Sequence, residues 1–402
     1  MERDEIDPDR RGLSTETGAS QSTTWAFKIN AMSQSPRIAC FLSTSGHSGV
    51  DRLARHLLPA LVGRGYRVDL LKVRGHGPHL EHSDPAPRIV DLGTAHTLLA
   101  LPAVARYLRR ERPAVMLSDK DRVNRLALAA RALAGTPTRL ILRSGITISV
   151  ELASRGVLDR WVQRRSMGLL YRFADRVLVP SLGAADDMAA YTGLERTRIR
   201  AVPSPVVPAR LFDEPLPVPD HPWFAPGQPP LILSVGELCG RKDFATLVRA
   251  FARLRTRRPA RLMILGEGRH RARLLALAAS LGVGEDFALP GFVPQPYAYM
   301  AHAALFAFSS RWEGLPFVPV EALAVGTPVV STDCPSGPRE ILDNGRYGPL
   351  VPVGDEAALA EAMQTTLDDP LPREALQQAA GRFEIEAATS AYLDAMGLPA
   401  WA

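Results

Sequence analysis

Short apolar runs alternate with amphipathic segments along most of the chain. Runs that predict buried strands lie at 37–42, 66–71, 114–118, 138–143, 176–180, 231–235, 262–265 and 303–308. Between them apolar residues recur at three- and four-residue spacing, which predicts helices such as 123–134, 244–257 and 271–281. Strands that alternate with helices in this order form parallel, doubly wound sheets. The pattern therefore predicts an α/β fold.

Two segments interrupt the alternation. Residues 1–36 are polar and rich in Ser and Thr, which predicts a disordered extension in which Met32 is a candidate natural start. Residues 207–229 contain seven prolines and little hydrophobic periodicity, which predicts a stiff interdomain linker. We therefore expect one Rossmann-like domain over 37–206, a second over 230–380, and a final helical segment over 381–402.

The composition favours a cytoplasmic protein. No apolar run reaches the roughly 20 residues that span a bilayer, and the acidic, polar N-terminus does not resemble a signal peptide. The three cysteines, Cys40, Cys239 and Cys334, have no paired spacing. We therefore expect neither a disulfide framework nor a zinc site.

The positive charge is concentrated in the first half. Residues 37–206 carry 27 Lys and Arg against 14 Asp and Glu, a net charge of +13, whereas residues 207–402 carry 17 against 22. Such a surface suits anionic lipid or a phosphate-bearing acceptor, and nucleic acid is the alternative. Zinc-finger spacing, RNA-binding aromatic patterns and basic heptads are absent from the sequence, so we expect no nucleic-acid partner.

Residues 155–173 predict a basic helix with aromatic and aliphatic positions. We favour a helix whose apolar stripe packs into the core. Its arginines would remain able to contact an anionic membrane surface.

The stretch from Ser309 to Glu321 carries the strongest chemical signal. It joins an apolar strand to a short helix, and Glu313 and Glu321 lie at its two ends. Gly314 lets backbone N–H groups approach a ligand, and Pro316 presets the first helical turn. On spacing alone, the two acids could equally be a helix cap and a solvated helix position.

A second signal follows the strand at 231–235. Gly236 gives room at the strand end, and Arg241 and Lys242 supply positive charge near the start of a helix. This combination suits a diphosphate, because a helix N-terminus and basic side chains both attract anions. The alternative is that both bases are solvated surface residues.

Together these segments resemble the signature of retaining glycosyltransferases of family 4. The resemblance rests on Glu-Gly-Leu-Pro at 313–316, Glu-Ala-Leu-Ala at 321–324 and Gly-Thr-Pro-Val-Val-Ser-Thr-Asp at 326–333. It implies the GT-B fold, in which two Rossmann-like domains face each other across a cleft and the final helix returns to the first domain. It also implies that a sugar nucleotide is a substrate and that the sugar is transferred with retained configuration.

The resemblance assigns roles to individual residues. It implies that Glu313 holds the donor sugar, Glu321 holds the ribose hydroxyls, and Arg241 and Lys242 bind the diphosphate. The remaining donor-side candidates are Gly236, Phe292, Gly314, Leu315 and Pro316. A glycine-bearing loop after the first strand implies contact with phosphate or acceptor through Gly46, His47 and Gly49.

The chain departs from the family pattern at two places. Glu237 occupies the position where the family often has an arginine, so we expect Arg241 to replace that arginine and Glu237 to point elsewhere. The family's first-domain histidine is absent after the strand at 138–143. Its contribution would come from Arg143 or Ser144, from His47, or from no residue at all.

We expect neither a metal nor a cofactor, with the sugar nucleotide as co-substrate. One Asp-x-Asp, at Asp119 and Asp121, could hold a divalent ion in another fold. Here it precedes a predicted helix, so we interpret it as helix capping.

The prediction is therefore a metal-independent glycosyltransferase that moves a hexose or N-acetylhexosamine from a donor, most plausibly UDP-linked. The acceptor would be a lipid-linked or polysaccharide molecule in cell-envelope, capsule or exopolysaccharide synthesis, with the enzyme at the inner face of the membrane. The alternatives are a sugar-nucleotide epimerase of the same fold and a sugar-nucleotide-binding subunit with impaired catalysis.

Overall fold

The computed structural model describes residues 35–42, 44, 49–80, 83–153 and 155–399. The strands are β1 Arg37–Leu42, β2 Arg67–Lys72, β3 Arg88–Asp91, β4 Val115–Asp119, β5 Arg139–Arg143, β6 Arg176–Val179, β7 Ile199–Ala201, β8 Leu231–Val235, β9 Arg261–Leu265, β10 Phe287–Gly291, β11 Leu305–Phe308, β12 Val329–Thr332 and β13 Leu350–Val351. The helices are α1 Gly49–Gly63, α2 Leu101–Glu111, α3 Asp121–Ala134, α4 Ile148–Glu151, α5 Val157–Leu170, α6 Leu182–Thr192, α7 Arg210–Asp213, α8 Phe244–Arg255, α9 Arg271–Ser280, α10 Tyr297–Ala301, α11 Phe317–Ala324, α12 Pro338–Ile341, α13 Glu356–Asp368, α14 Arg373–Ala380 and α15 Ile385–Met396.

The strands form two parallel sheets. The seven-stranded sheet has the order β3-β2-β1-β4-β5-β6-β7, and the six-stranded sheet has the order β10-β9-β8-β11-β12-β13. We call the parts of the chain built around these sheets the first and the second lobe. The predicted α/β class with two doubly wound sheets is confirmed.

Burial on both faces explains why the strands are apolar. All residues of β4 and β11 are buried, as expected for strands covered by helices on both sides. The covering helices are amphipathic. In α8, Phe244, Leu247, Phe251 and Leu254 recur at helical spacing and pack into one core cluster.

The last helix returns to the first lobe. Tyr392, Leu393 and Met396 of α15 lie in the same core cluster as Ile38 of β1 and Leu57 of α1. The chain therefore connects the lobes twice, once before β8 and once through α15. The domain limits given above stay predictions, and the predicted extension, with Met32, lies outside the described residues up to residue 34.

The strand order fixes where a ligand can bind. In the second sheet the order reverses between β8 and β11, which are neighbours but not consecutive in the chain. Loops that leave the carboxyl ends of two such strands diverge to opposite faces and leave a crevice. The segments after β8 and β11 contain most of the predicted donor-side residues, so these loops frame the candidate site.

In the part of the chain that the structure describes, every helix is too short or too polar to cross a bilayer.

Candidate active site

The loops after β8 and β11 meet through one carboxylate. Glu313 Oε1 accepts a hydrogen bond from Lys242 Nζ at 2.9 Å, and Arg241 Nη1 donates to the same oxygen. Ser310 Oγ, three residues before the acid, also donates to Oε1, at 3.0 Å. The structure thus brings together the residue predicted to hold the donor sugar, Glu313, and the two predicted to bind the diphosphate and to be catalytic with it, Arg241 and Lys242.

This cluster is largely withdrawn from solvent. The side chains of Glu313 and Lys242 are each 10% exposed, and that of Arg241 is 34% exposed. Burial alone would raise the pKa of the Glu313 carboxyl, but the positive charges of Lys242 and Arg241 hold its pKa below the ordinary value. The carboxylate is therefore ionised, and the two cations are concentrated at the end of the sheet.

Packing around Lys242 explains the glycine after β8. A Cβ on Gly236 would lie 3.0 Å from the Lys242 Cε, so a larger residue would displace the lysine stem. The ammonium lies 4.9 Å from the centre of the Phe308 ring, a favourable cation–π distance. Gly236 and Phe308, at the ends of adjacent strands, thus direct Lys242 toward Glu313.

Gly314 lies at the contact between the lobes. A Cβ on Gly314 would collide with the Gly145 carbonyl oxygen of the first lobe. Thr147 Oγ1, also from the first lobe, donates to the Glu313 carbonyl oxygen at 2.8 Å. The loop after β11 is therefore held against the loop after β5, and the site lies between the lobes.

The rest of this loop leads into α11. Leu315 is buried at the edge of an interlobe cavity, and Pro316 adopts an extended backbone as the residue before α11. Glu321 follows on α11, fully buried, where it forms an ion pair with Arg52 of the first lobe. Glu321 is thus in the interlobe region, although it does not contact the Glu313 cluster directly.

Phe292 and Glu237 lie apart from the charged cluster. Phe292 directly follows β10 and its ring is exposed. Glu237 is exposed after β8.

The first-lobe candidates line one cavity of about 520 Å³. Gly49, Arg143 and Ser144 contribute to its wall, as do Leu315 and Phe317 of the second lobe. The cavity is thus next to the loop that carries Glu313. Gly46 and His47 lie outside the described residues.

Arg143 is tied into a buried network. Its guanidinium pairs with Asp119, donates to Tyr392 Oη at 2.8 Å and donates to Ser204 Oγ at 3.3 Å. Tyr392 belongs to α15, so Arg143 helps to hold the returning helix on the first sheet. These bonds leave the guanidinium largely committed to the protein.

The same network corrects the interpretation of Asp119 and Asp121 as helix caps. Asp119 pairs with Arg143 and also accepts the Lys120 N–H at 2.7 Å. Asp121 pairs with Arg125, one helical turn later. The residue before α3 is Lys120, which makes no side-chain cap, so neither acid is the cap; both line the cavity, and Asp121 lies in the first turn of α3.

The predicted inward packing of the helix at 155–173 is wrong for most of its apolar positions. Within α5 only Met167 is buried. The exposed apolar residues of this segment are Val157, Leu158, Trp161, Val162, Leu169 and Phe173. The inner side of α5 lines the cavity through Gln163 and Met167. The helix therefore forms a wall of the cavity and has an apolar outer face.

Sequence reasoning missed several contacts. Ser310 lies inside the signature stretch, and its position three residues before Glu313 was a usable signal. Thr147 and Arg52 contact the second lobe from the first. No spacing within the chain indicates such pairs, since they depend on how the lobes meet.

Two family models and a known relative match this chain, and together they cover both lobes. A family model described as Glycosyl transferases group 1 matches residues 220–383, and one described as Glycosyl transferase 4-like domain matches residues 48–205. The chain is 31% identical to a Campylobacter jejuni N-acetylgalactosamine-N,N'-diacetylbacillosaminyl-diphospho-undecaprenol 4-alpha-N-acetylgalactosaminyltransferase. That alignment covers 86% of this chain and 93% of the relative.

Solved structures share the fold at low sequence identity. The apo form of the lipopolysaccharide outer core galactosyltransferase WaaB superposes with a TM-score of 0.71 and 18% identity, covering 90% of this chain and 99% of that one. Anabaena Alr3699/HepE in complex with UDP gives a TM-score of 0.71 and 15% identity, covering 90% and 99%.

The two parallel sheets, the similarity over both lobes and the two family models lead to one conclusion. The chain belongs to glycosyltransferase family 4, the glycosyl transferases group 1, and has the GT-B fold.

Proposed function

We propose that this glycosyltransferase transfers a hexose or N-acetylhexosamine from a nucleoside diphosphate sugar, UDP-linked, to a lipid-linked or polysaccharide acceptor of the cell envelope. The supporting observation is the convergence of Arg241 and Lys242 on Glu313 where the strand order of the second sheet reverses. Such a crevice with two cations is suited to a diphosphate.

The chemistry follows from charge. When the anomeric bond of the donor breaks, negative charge develops on the departing diphosphate. Arg241 and Lys242 donate hydrogen bonds to that charge and stabilise it more in the transition state than in the ground state. Because these side chains supply the positive charge, we propose that transfer needs no divalent metal and no organic cofactor.

Glu313 then has two partners in turn. In the structure its Oε1 neutralises the two cations. When a diphosphate binds, Arg241 and Lys242 donate their hydrogen bonds to its oxygens. The Glu313 carboxylate can then accept hydrogen bonds from hydroxyls of the donor sugar. Glu321 would accept the ribose hydroxyls, Gly236, Gly314, Leu315 and Pro316 would frame the donor, and the segment at Phe292 would contact the base.

The acceptor would enter the cavity between the lobes. Its wall combines apolar residues such as Ile146, Leu152 and Met167 with polar groups such as Ser144. The named activity of the Campylobacter jejuni relative uses a diphospho-undecaprenol acceptor. A similar lipid-linked sugar would explain why the cavity opens beside α5.

We also propose that α5 contacts an anionic membrane surface. Its exposed Leu158 and Trp161 lie near Arg164 and Arg165 on the same helix, and apolar and basic side chains together favour the lipid interface. Sedimentation with phosphatidylcholine vesicles, with and without phosphatidylglycerol, tests this. Binding should require the anionic lipid at low salt and be lost in an Arg164→Glu, Arg165→Glu variant, whereas equal binding of both proteins would contradict it.

The activity test uses a panel of sugar nucleotides, a polyprenyl-diphosphate-linked sugar and EDTA. We expect slow donor hydrolysis alone, sugar transfer when the acceptor is added, and no inhibition by the chelator. Interconversion of donor sugars would instead indicate the epimerase. Binding without turnover under all conditions would indicate a sugar-nucleotide-binding subunit, and either outcome would overturn the proposed function.

A further inference from the structure

Glu321 is fully buried, and a cation from the other lobe covers it. Neither carboxylate oxygen is accessible to solvent, and neither accepts a hydrogen bond from any residue that the structure describes. The charge partner is Arg52 of α1, whose Nη2 contacts Glu321 Oε1. The side chain of Arg52 is 36% exposed, so this ion pair joins a buried acid to a base at the edge of the cleft.

The Arg52 guanidinium also contacts other residues of the second lobe. Arg52 stacks over the ring of Phe317, the first residue of α11, at 5.1 Å from its centre. The Tyr297 hydroxyl of α10 is a further hydrogen-bonding partner of Arg52. Contacts to two second-lobe helices, besides Glu321 itself, indicate a defined position for this side chain.

This arrangement conflicts with the role proposed for Glu321. Ribose hydroxyls must reach the carboxylate oxygens to donate hydrogen bonds to them, yet both oxygens are buried. A buried carboxylate also needs a partner, because an isolated charge in the protein interior is costly. The charge partner of Glu321 must therefore move away when the ribose binds. Until then, this partner must balance the buried charge of Glu321.

We propose that Arg52 is this exchangeable partner: it holds Glu321 in the empty enzyme and is displaced by the ribose diol of the donor. The inference rests on the proposed function, because it assumes that Glu321 binds ribose. The displacement of Arg52 would therefore make the free energy of donor binding less favourable. It also provides a ready partner for Glu321 when the nucleoside diphosphate product departs.

The exchange makes an unusual prediction, since removal of a cation near a diphosphate site should strengthen binding. Without Arg52, the donor no longer competes for Glu321. We expect Arg52→Ala and Arg52→Gln to bind nucleoside diphosphate about tenfold more tightly than wild type. Arg52→Lys keeps a competing charge and should stay closer to wild type.

The probes are UDP and GDP, measured by isothermal titration calorimetry on the full chain, with the 2',3'-dideoxy form of whichever binds. The dideoxy nucleotide cannot donate to Glu321, so the gain seen in Arg52→Ala should vanish with it. Arg55→Ala is the matched control, because it removes the same charge from α1 but lies outside the contacts of Glu321. Circular dichroism melting identifies any variant that does not fold.

The outcomes separate the two proposals. If wild type binds no nucleoside diphosphate, the proposed function fails. If wild type binds and Glu321→Ala weakens binding, but both Arg52→Ala and Arg52→Gln bind equally or more weakly than wild type, the exchange is refuted while the proposed function stands. A gain of the same size with the dideoxy nucleotide would also refute the exchange.

Discussion

Replacement of Lys242 by Met tests the charged cluster with little change of shape. The substitution keeps a long unbranched side chain beside Gly236 and Phe308 but removes the ammonium that lies 2.9 Å from Glu313 Oε1. Arg241 still pairs with Glu313, so the acid keeps a partner. We therefore expect a folded protein with a weakened diphosphate site.

The size of the effect follows from the bond that is lost. A hydrogen bond to a charged group contributes about 1.5–3 kcal/mol, and each 1.4 kcal/mol corresponds to about a tenfold change in affinity. Lys242→Met should therefore raise the Kd for nucleoside diphosphate by about 10- to 150-fold. Loss of one donor to the developing negative charge should lower kcat by about 10²- to 10³-fold.

Calorimetry with UDP and GDP and steady-state kinetics with the preferred donor measure both quantities. Lys72→Met is the matched control, because Lys72 ends β2 in the first sheet and its removal changes the net charge equally. Its donor affinity should match that of wild type. If Lys242→Met binds nucleoside diphosphate within twofold of wild type, the assignment of Lys242 to the diphosphate is refuted.

Three further substitutions probe the surroundings of the site. Because the pKa of Glu313 is depressed in the folded protein, its stabilising effect is present above its ordinary pKa of about 4.5 and is lost as the pH falls further. Urea unfolding should thus show Glu313→Gln less stable than wild type at pH 7, with the gap closing at acid pH; a gap that widens in acid would contradict this. Gly314→Ala should collide with Gly145 and separate the lobes, which small-angle scattering would detect as a larger radius of gyration together with lost transfer; an unchanged radius with full activity would exclude the close approach. Tyr392→Phe should cost about 1–2 kcal/mol of stability by removing a bond to buried Arg143, with donor Kd unchanged; a shifted Kd would mean that this network reaches the donor site.

The sequence predicted most of the strands in the two sheets. The apolar runs of β1 and β8 were found because these strands are buried, so few of their residues are polar: Arg37 opens β1, and Ser234 of β8 donates to the Ala307 carbonyl oxygen. By contrast, β3 was missed: Arg88-Ile89-Val90-Asp91 is short, polar at both ends and largely exposed at the sheet edge. Such a strand is stabilised mainly by backbone pairing with its neighbour, and its sequence lacks the hydrophobic pattern that identifies a buried strand.

The outward face of α5 was predicted wrongly for a physical reason. Trp161 and Leu169 fall on a stripe that a buried Rossmann helix would also have, and periodicity reports an apolar face without saying what covers it. In the structure this stripe is exposed, and the membrane contact proposed above would cover it.

The interlobe contacts depended on information that the linear pattern lacks. The roles of Glu313, Arg241 and Lys242 were predicted from the family resemblance, and the strand order of the second sheet brings their loops together. Arg52 was not predicted, because its pairing with Glu321 depends on the relative position of the lobes. Spacing along the chain predicts which residues of one sheet lie close together, but it does not predict contacts between residues of two different sheets.

We propose above that the carboxyl ends of β8 and β11 hold the diphosphate of a sugar nucleotide. A crystal structure with bound UDP, or with GDP if that is the nucleotide preferred in solution, would show where the diphosphate lies. We expect phosphate oxygens within hydrogen-bonding distance of Arg241 and Lys242, with ribose hydroxyls on Glu321 and Arg52 moved away from it. A nucleotide bound elsewhere, with the pairs of Glu313 to Arg241 and Lys242 unbroken, would refute the proposed diphosphate site.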